Sequence, residues 1–229
     1  MQIPELIAAP VRSAIGVAAD THLAIGRVIA KGYVWSILGT SWTDHRVDYL
    51  RGPKNWFWQE RGILGCREIK LGDEVLDLSC GDGFFSKYYY AYKAGRVDAI
   101  DRDRRAIAIA RRGAPGNVSF FVQDASSPFP SREYDVVLWF AAIEHLTAPD
   151  GLTILQKISD VIGPRNGLLF GSTDIHPHSP LSNFEHKNEF QSEGQLEEFL
   201  AQVFPSITLW QSPWPTDRQE WYFWCRARN

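Results

Sequence analysis

Residues 74–86 read Glu-Val-Leu-Asp-Leu-Ser-Cys-Gly-Asp-Gly-Phe-Phe-Ser, a short apolar run that empties into two glycines and continues as a helical stretch. A strand that turns so tightly into a helix opens a βαβ unit, because parallel neighbours need a crossover and the crossover is usually helical. The rest of the chain keeps that rhythm. Strands are expected at Glu74–Leu78, Val97–Ile100, Val118–Val122, Tyr134–Phe140, Gly167–Ser172, Ile207–Trp210 and Trp221–Arg226. Helices are expected near Phe84–Ala94, Arg104–Arg112, Pro149–Ile162 and Ser192–Val203. The last of these places Leu196, Phe199, Leu200 and Val203 on one face and opens with Ser192 and Gln195 at capping-box spacing. Ser212-Pro213-Trp214-Pro215 joins the final two strands without a crossover helix, so that pair should run antiparallel. The expected fold is α/β: a seven-stranded, mostly parallel sheet with an antiparallel last strand and helices on both faces.

Ahead of the sheet, the first forty residues are apolar. Glu5, Arg12, Asp20, His22, Arg27 and Lys31 nevertheless interrupt every window long enough to cross a bilayer, so no membrane span is expected. A secretory signal is also disfavoured, since Pro4-Glu5 stands where a basic start belongs. Leu23, Gly26, Arg27, Ala30 and Val34 instead mark a small-residue helix that packs against the core or against a second copy of the chain, the latter giving a homodimer. Residues 1–66 are expected to form this N-terminal helical cap and 67–229 the sheet domain. Cys66, Cys80 and Cys225 are widely separated and form no CxxC pair, which argues against a zinc cage and for a reducing, cytoplasmic setting. With 24 basic and 27 acidic side chains the net charge is −3, so no positive field gathers nucleic acid. The nine tryptophans cluster at 35–58 and 210–224, with only Trp139 between them, and composition does not explain them.

The glycine loop is built for a ligand. Gly81 and Gly83 permit a tight turn and a close approach to the backbone, and the helix that follows offers unpaired amides. Gly81-Asp82-Gly83-Phe84-Phe85-Ser86 is one residue from the dinucleotide fingerprint, so an NAD-dependent oxidoreductase is one reading. Charge separates the candidates. A pyrophosphate would be repelled by Asp77 at the end of the strand and Asp82 within the loop, whereas S-adenosylmethionine has no phosphate and carries a sulfonium and an ammonium. Asp101 ends the second strand 18 residues past Gly83, where a carboxylate can accept both ribose hydroxyls. Asp124 follows the third strand and can accept an adenine amino group. Any one of these acids alone reads best as a solvated loop residue or a cap. Four of them at strand ends read as a binding edge.

Val75-Leu-Asp-Leu-Ser-Cys-Gly-Asp-Gly83 resembles motif I of the class I S-adenosylmethionine-dependent methyltransferases, and Tyr134-Asp-Val-Val-Leu-Trp-Phe-Ala-Ala-Ile-Glu-His-Leu146 resembles their fourth-strand motif. The likeness covers about residues 67–229 and implies their Rossmann-like sheet. It also implies that Asp77, Gly81 and Gly83 surround the methionine part, Asp101 the ribose, Asp124 and Ala125 the adenine, with Arg102 beside the adenine edge and Phe140 meeting the cofactor through its backbone. Ser79 stands in the cofactor loop where the family usually has glycine.

The acceptor is read from what the loops carry. No Asn/Asp-Pro-Pro-aromatic motif follows the fourth strand, where the residues are Trp139-Phe140-Ala141-Ala142, and no cysteine lies there for base-carbon methylation. Arg102, Arg104, Arg105, Arg111 and Arg112 read as a solvated helix face. A small-molecule acceptor, methylated on oxygen or nitrogen, is therefore expected, and no nucleic acid. Transfer is an in-line displacement that needs alignment and, for a hydroxyl, a proton acceptor. His145, His176, His178 and His186 lie in the loops after the fourth and fifth strands. His145 reads as structural. His186 and His176 are the candidates for the proton acceptor, with a metal-ligand role alongside Asp174 and Glu185 as the other use of these loops, although His-x-His falls short of a zinc signature and no metal is expected. Tyr49 and Arg51 are candidates for the methionine carboxylate. The competing functions are a non-catalytic module that binds S-adenosylmethionine or S-adenosylhomocysteine for regulation, and the NAD-dependent oxidoreductase.

Overall fold

The computed structural model of the chain describes residues 5–36, 45, 58–177, 186–214 and 218–227. The chain divides into two compact units, Met1–Trp56 and Phe57–Asn229. In the first unit α1 runs Glu5–Ser36, with Pro10 in its early turns. Its Ile15, Val17, Val28 and Ile29 are exposed. No helix among the described residues is long and apolar enough to cross a membrane.

The second unit begins with α2 (Trp58–Glu68). Then come β1 (Glu74–Leu78), α3 (Phe84–Tyr88), β2 (Arg96–Asp101), α4 (Arg104–Ala110), β3 (Val118–Val122), β4 (Val136–Phe140), α5 (Ala148–Ile162), β5 (Leu168–Asp174), α6 (Glu193–Ala201), β6 (Ser206–Gln211) and β7 (Glu220–Arg226). All seven expected strands are present. The sheet order is β3-β2-β1-β4-β5-β7-β6. Strands β1 to β5 are parallel, and β7 lies antiparallel between β5 and β6.

The expected helix over 84–94 is shorter than its pattern. It breaks at Tyr89 (φ −123, ψ −56) and resumes as a single 3-10 turn, Tyr90–Tyr92. The break turns the Tyr90 ring into the core, against α2 at Gly65. At the start of α6, Ser192 Oγ accepts from Gln195 N as the capping pattern predicts, while the Gln195 side chain reaches back to Gln191 N, one residue short of the reciprocal bond.

Because β1, β4 and β5 are covered on both faces, they are buried along nearly their whole length. Leu76, Leu78, Val137, Trp139 and Leu169 pack on one face with Ile154, Leu155 and Ile158 of α5 and Leu196 and Leu200 of α6. Val75, Val97, Val136, Leu138 and Phe170 pack on the other with Ile107 and Ala110 of α4. The chain runs outward through β2 and β3, then returns to place β4 on the other side of β1. In open α/β sheets such a reversal parts the loops leaving the two strands, here β1 and β4, and the resulting crevice at the strand C-terminal ends is the usual ligand position.

Candidate functional site

One wall of the crevice is the loop leaving β1. Ser79, Gly81 and Gly83 all take left-handed backbone, with φ of 62, 55 and 67. Gly83 is required on two counts, since a Cβ there would also lie 2.5 Å from the Phe120 ring. Ser79 adopts the left-handed conformation that glycine would adopt freely, at a cost of roughly 1 kcal/mol. The loop is held from β2: Asp101 accepts from Gly81 N at 2.9 Å and from Asp103 N at 2.8 Å, and Cys80 N donates to Ile100 O at 3.0 Å. Burial is the main force raising the Asp101 carboxyl above its ordinary value, with these two amides opposing it. Asp82 is buried and accepts from Phe84 N at 3.1 Å, capping α3.

Asp77 differs from the expectation of a strand-end acid. It lies inside β1, 4% exposed, and accepts a short hydrogen bond from Ser86 Oγ of α3. Burial pushes its carboxyl up to about 7 despite the Ser86 hydroxyl, and Asp101 and Asp82 add to the rise. It therefore ties β1 to α3 beneath the loop, as a carboxyl that changes charge near neutrality.

The next wall follows β3 and β4. Asp124 sits two residues past the end of β3, exposed, and Ser126 donates to it. The hydrogen bonds from Ser126 hold its carboxyl below the ordinary range, helped by the nearby charges of Arg102 and Lys157. Arg102 is exposed. Phe140 closes β4, its ring edge-on to Phe170 at 5.3 Å, and is followed by Ala141 at φ 45, whose N–H donates to Ser172 O. All nine residues assigned to the cofactor thus lie along one edge of β1 to β4.

The histidine-bearing loops converge beyond β4. Glu144 and His145 form a 3-10 turn with Ile143, and Glu144 O accepts from both Lys187 N and Asn188 N, at 2.8 and 3.1 Å. A bridge between Ile175 and Phe190 holds the other end of that segment against the exit of β5. His186 is thereby set edge-on to His145, ring centres 4.8 Å apart. It is 8% exposed and its Nδ1 makes a short contact with Glu189, whose side chain is 2% exposed. One ligating atom from each of Glu144, His145 and His186 lies within 4.8 Å of the others. Glu144 is buried, accepts from Thr173 Oγ1 at 3.0 Å, and is pushed up to about 7, chiefly by burial. His176 is half-buried, its Nε2 4.0 Å from Asp174. His178, Glu185, Tyr49 and Arg51 lie outside the described residues.

Residues 75–165, which hold the glycine loop, Asp101, Asp124 and the turn after β4, match the family described as a methyltransferase domain. Over that stretch the chain resembles a methyltransferase domain. The chain is similar to a ubiquinone/menaquinone biosynthesis C-methyltransferase of Pasteurella multocida, 26% identical over 148 residues, covering 60% of this chain and 54% of that protein. It thus spans about half the length of that relative. Among solved structures it is similar to the N-methyltransferase NodS of Bradyrhizobium japonicum WM9 in complex with S-adenosyl-L-homocysteine, at a TM-score of 0.62, 15% identity, 86% of this chain and 97% of that one. The [4+2]-cyclase SpnF is similar at a TM-score of 0.62, 16% identity, 78% of this chain and 83% of that one. At such identities the likeness is one of fold.

Two parts of the sheet unit escaped sequence reasoning. Lys157 of α5 donates to Ala125 O and Ser127 O at 2.7 and 2.6 Å and lies over the Phe129 ring, fixing the loop after β3. Its one sequence signal is a lysine between the buried Leu155 and Ile158. The second is a buried ionic cluster joining α2 to β7. Arg61 pairs with Glu220 at 2.5 Å, and Arg218 pairs with both Glu220 and Glu60. Tyr222 and Ser212 donate to Glu60 at 3.1 and 2.8 Å. Two guanidiniums face two carboxylates, so the cluster is self-neutral. Burial pulls both arginines below their ordinary values. Nothing local in the sequence links positions 61 and 220.

Proposed function

We propose that the chain is an S-adenosylmethionine-dependent methyltransferase acting on a small-molecule acceptor. The observation that carries the reading is the charge at the strand ends: Asp82, Asp101 and Asp124 lie at or just past the ends of β1, β2 and β3, with Asp77 beneath the first of these loops. Such a surface suits a ligand bearing a sulfonium and an ammonium and repels a pyrophosphate. In this reading Asp77, Ser79, Gly81 and Gly83 cradle the methionine part and Asp101 accepts from the ribose. Asp124, Ala125 and Arg102 surround the adenine, and Phe140 meets the cofactor through its backbone. Asp101 already accepts from Gly81 N and Asp103 N, and each carboxylate oxygen has a second lone pair for a hydroxyl.

The acceptor enters beside the turn after β4. There His186 is oriented by Glu189, so the nitrogen through which it would act is Nε2, and His176 is the second proton acceptor proposed. The attacked atom was expected to be oxygen or nitrogen, and a relative named as a quinone C-methyltransferase adds carbon.

Because the same fold is found in a chain named as a cyclase, the fold does not fix the reaction, and binding without methyl transfer stands as the second reading. The test is twofold. S-adenosylhomocysteine, and not NAD, should stabilise the protein against heat, and labelled methyl should pass from S-adenosylmethionine to a fractionated small-molecule extract. Stabilisation by NAD alone would overturn the reading; tight S-adenosylhomocysteine binding with no labelled acceptor would favour the second one.

A further inference from the structure

We infer that Glu144, His145 and His186 form a binding site for one divalent transition-metal ion at the acceptor end of the crevice. Three ligand atoms come within 4.8 Å of one another, drawn from two loops that the Glu144 carbonyl clamps together. Two imidazoles and one carboxylate are the donor set of zinc, cobalt, manganese or ferrous iron, whereas magnesium and calcium favour all-oxygen sites.

A second observation supports the first: two of the ligands are held from behind. Glu189, itself 2% exposed, engages Nδ1 of His186, the carboxylate–histidine arrangement that fixes a ring with Nε2 toward an ion. Thr173 Oγ1 donates to Oε2 of Glu144 and orients that carboxylate. His145, half-buried and edge-on to His186, completes the set. Ligands about 2.1 Å from an ion stand about 3.4 Å apart in a tetrahedron, so the widest of the three separations, at most 4.8 Å, closes by no more than about 1.5 Å on binding. His145 is the least enclosed of the three.

Three protein ligands leave a coordination position open. The turn that carries Glu144 and His145 follows Phe140 directly at the C-terminal end of β4, so the open position belongs to the acceptor side. This role, though not the ion binding, rests on the methyltransferase reading: an acceptor oxygen would occupy the open position, and His186 would act through the ion in place of taking a proton itself.

The test is a cobalt titration of the full chain after stripping with a chelator. One equivalent of Co2+ should bind, with visible d–d absorption, and be displaced by Zn2+. His145→Ala, at a half-buried position, should weaken binding at least about 100-fold, and Glu189→Gln about 10- to 100-fold, while S-adenosylhomocysteine binding persists in both. Substoichiometric Co2+, or binding unchanged by both His145→Ala and Glu144→Gln, would overturn the site. Failure of the function reading looks different: Co2+ binds as described, but S-adenosylhomocysteine does not.

Discussion

Asp77 and Ser79, two residues apart in sequence, each hold an unfavourable state. The Asp77 carboxyl ionises near 7 in the folded chain and near 3.8 when solvated, so the native state holds its proton more tightly than the unfolded state does. Its contribution to stability is therefore complete below about pH 4, declines as pH rises through 7, and is flat above that. Between about pH 5 and pH 8 the wild type should lose about 2–3 kcal/mol more than Asp77→Asn, which keeps an acceptor for Ser86 without the charge. Urea denaturation of both proteins at the two pH values measures this, and parallel losses would show that Asp77 does not titrate in that window. Ser79 holds φ 62 with a side chain that disfavours it. Ser79→Gly should raise stability by up to about 0.5 kcal/mol, the relief of left-handed strain slightly exceeding the added freedom of the unfolded chain. A fall in melting temperature would contradict that account. Asp101 works on both sides of the loop, so Asp101→Ala should weaken S-adenosylhomocysteine binding and also loosen Gly81; calorimetric titration that finds unaltered affinity would remove the ribose assignment.

Among the elements, α2 depends most on the rest of the unit. Its inward positions are Arg61, Gly62 and Gly65, and a Cβ at either glycine would fall 2.8 Å from the rings of Phe85, Tyr89 or Tyr90. The helix is seated by glycines under aromatic rings and by two ion pairs, Arg61 with Glu220 and Glu60 with Arg218. Glu220→Gln should accordingly destabilise the protein by about 3–5 kcal/mol, because Arg61 and Arg218 would keep their buried charges and lose the carboxylate between them. A denaturation midpoint within about 1 kcal/mol of wild type would show that the pair is relaxed by water in solution. The same packing explains which elements the sequence disclosed. The strands were legible because each is a short run rich in β-branched, leucine or aromatic residues bounded by turn signals, and the loop after β1 because Gly81 and Gly83 have few alternatives. Hydrophobic periodicity did not disclose α2, since its buried face is not hydrophobic, and it overran at Tyr89, where a tyrosine turning inward ends α3. In the site, Asp101 and Asp124 were legible as acids after strands. The approach of His186 to His145 was not, because backbone bonds to Glu144 O create it across some forty residues.

For the whole molecule, the division at 56/57 predicts that the sheet unit stands alone. A chain starting at Phe57 should unfold cooperatively and bind S-adenosylhomocysteine within a few-fold of the full chain; loss of cooperative unfolding would show that the two units are one folding body. Within that unit, β7 is paired on both edges although it is the last strand in sequence, and its first residue, Glu220, is the partner of Arg61, 159 residues earlier. A ribosome delivers these in the opposite order to their need. Throughout that interval a guanidinium destined for burial has no counter-charge, and the free edge of β5 is open to other chains. Translation that stalls ahead of residue 220 should thus release a product whose five paired strands expose the edge of β5 as well as that of β3, with a tendency to associate.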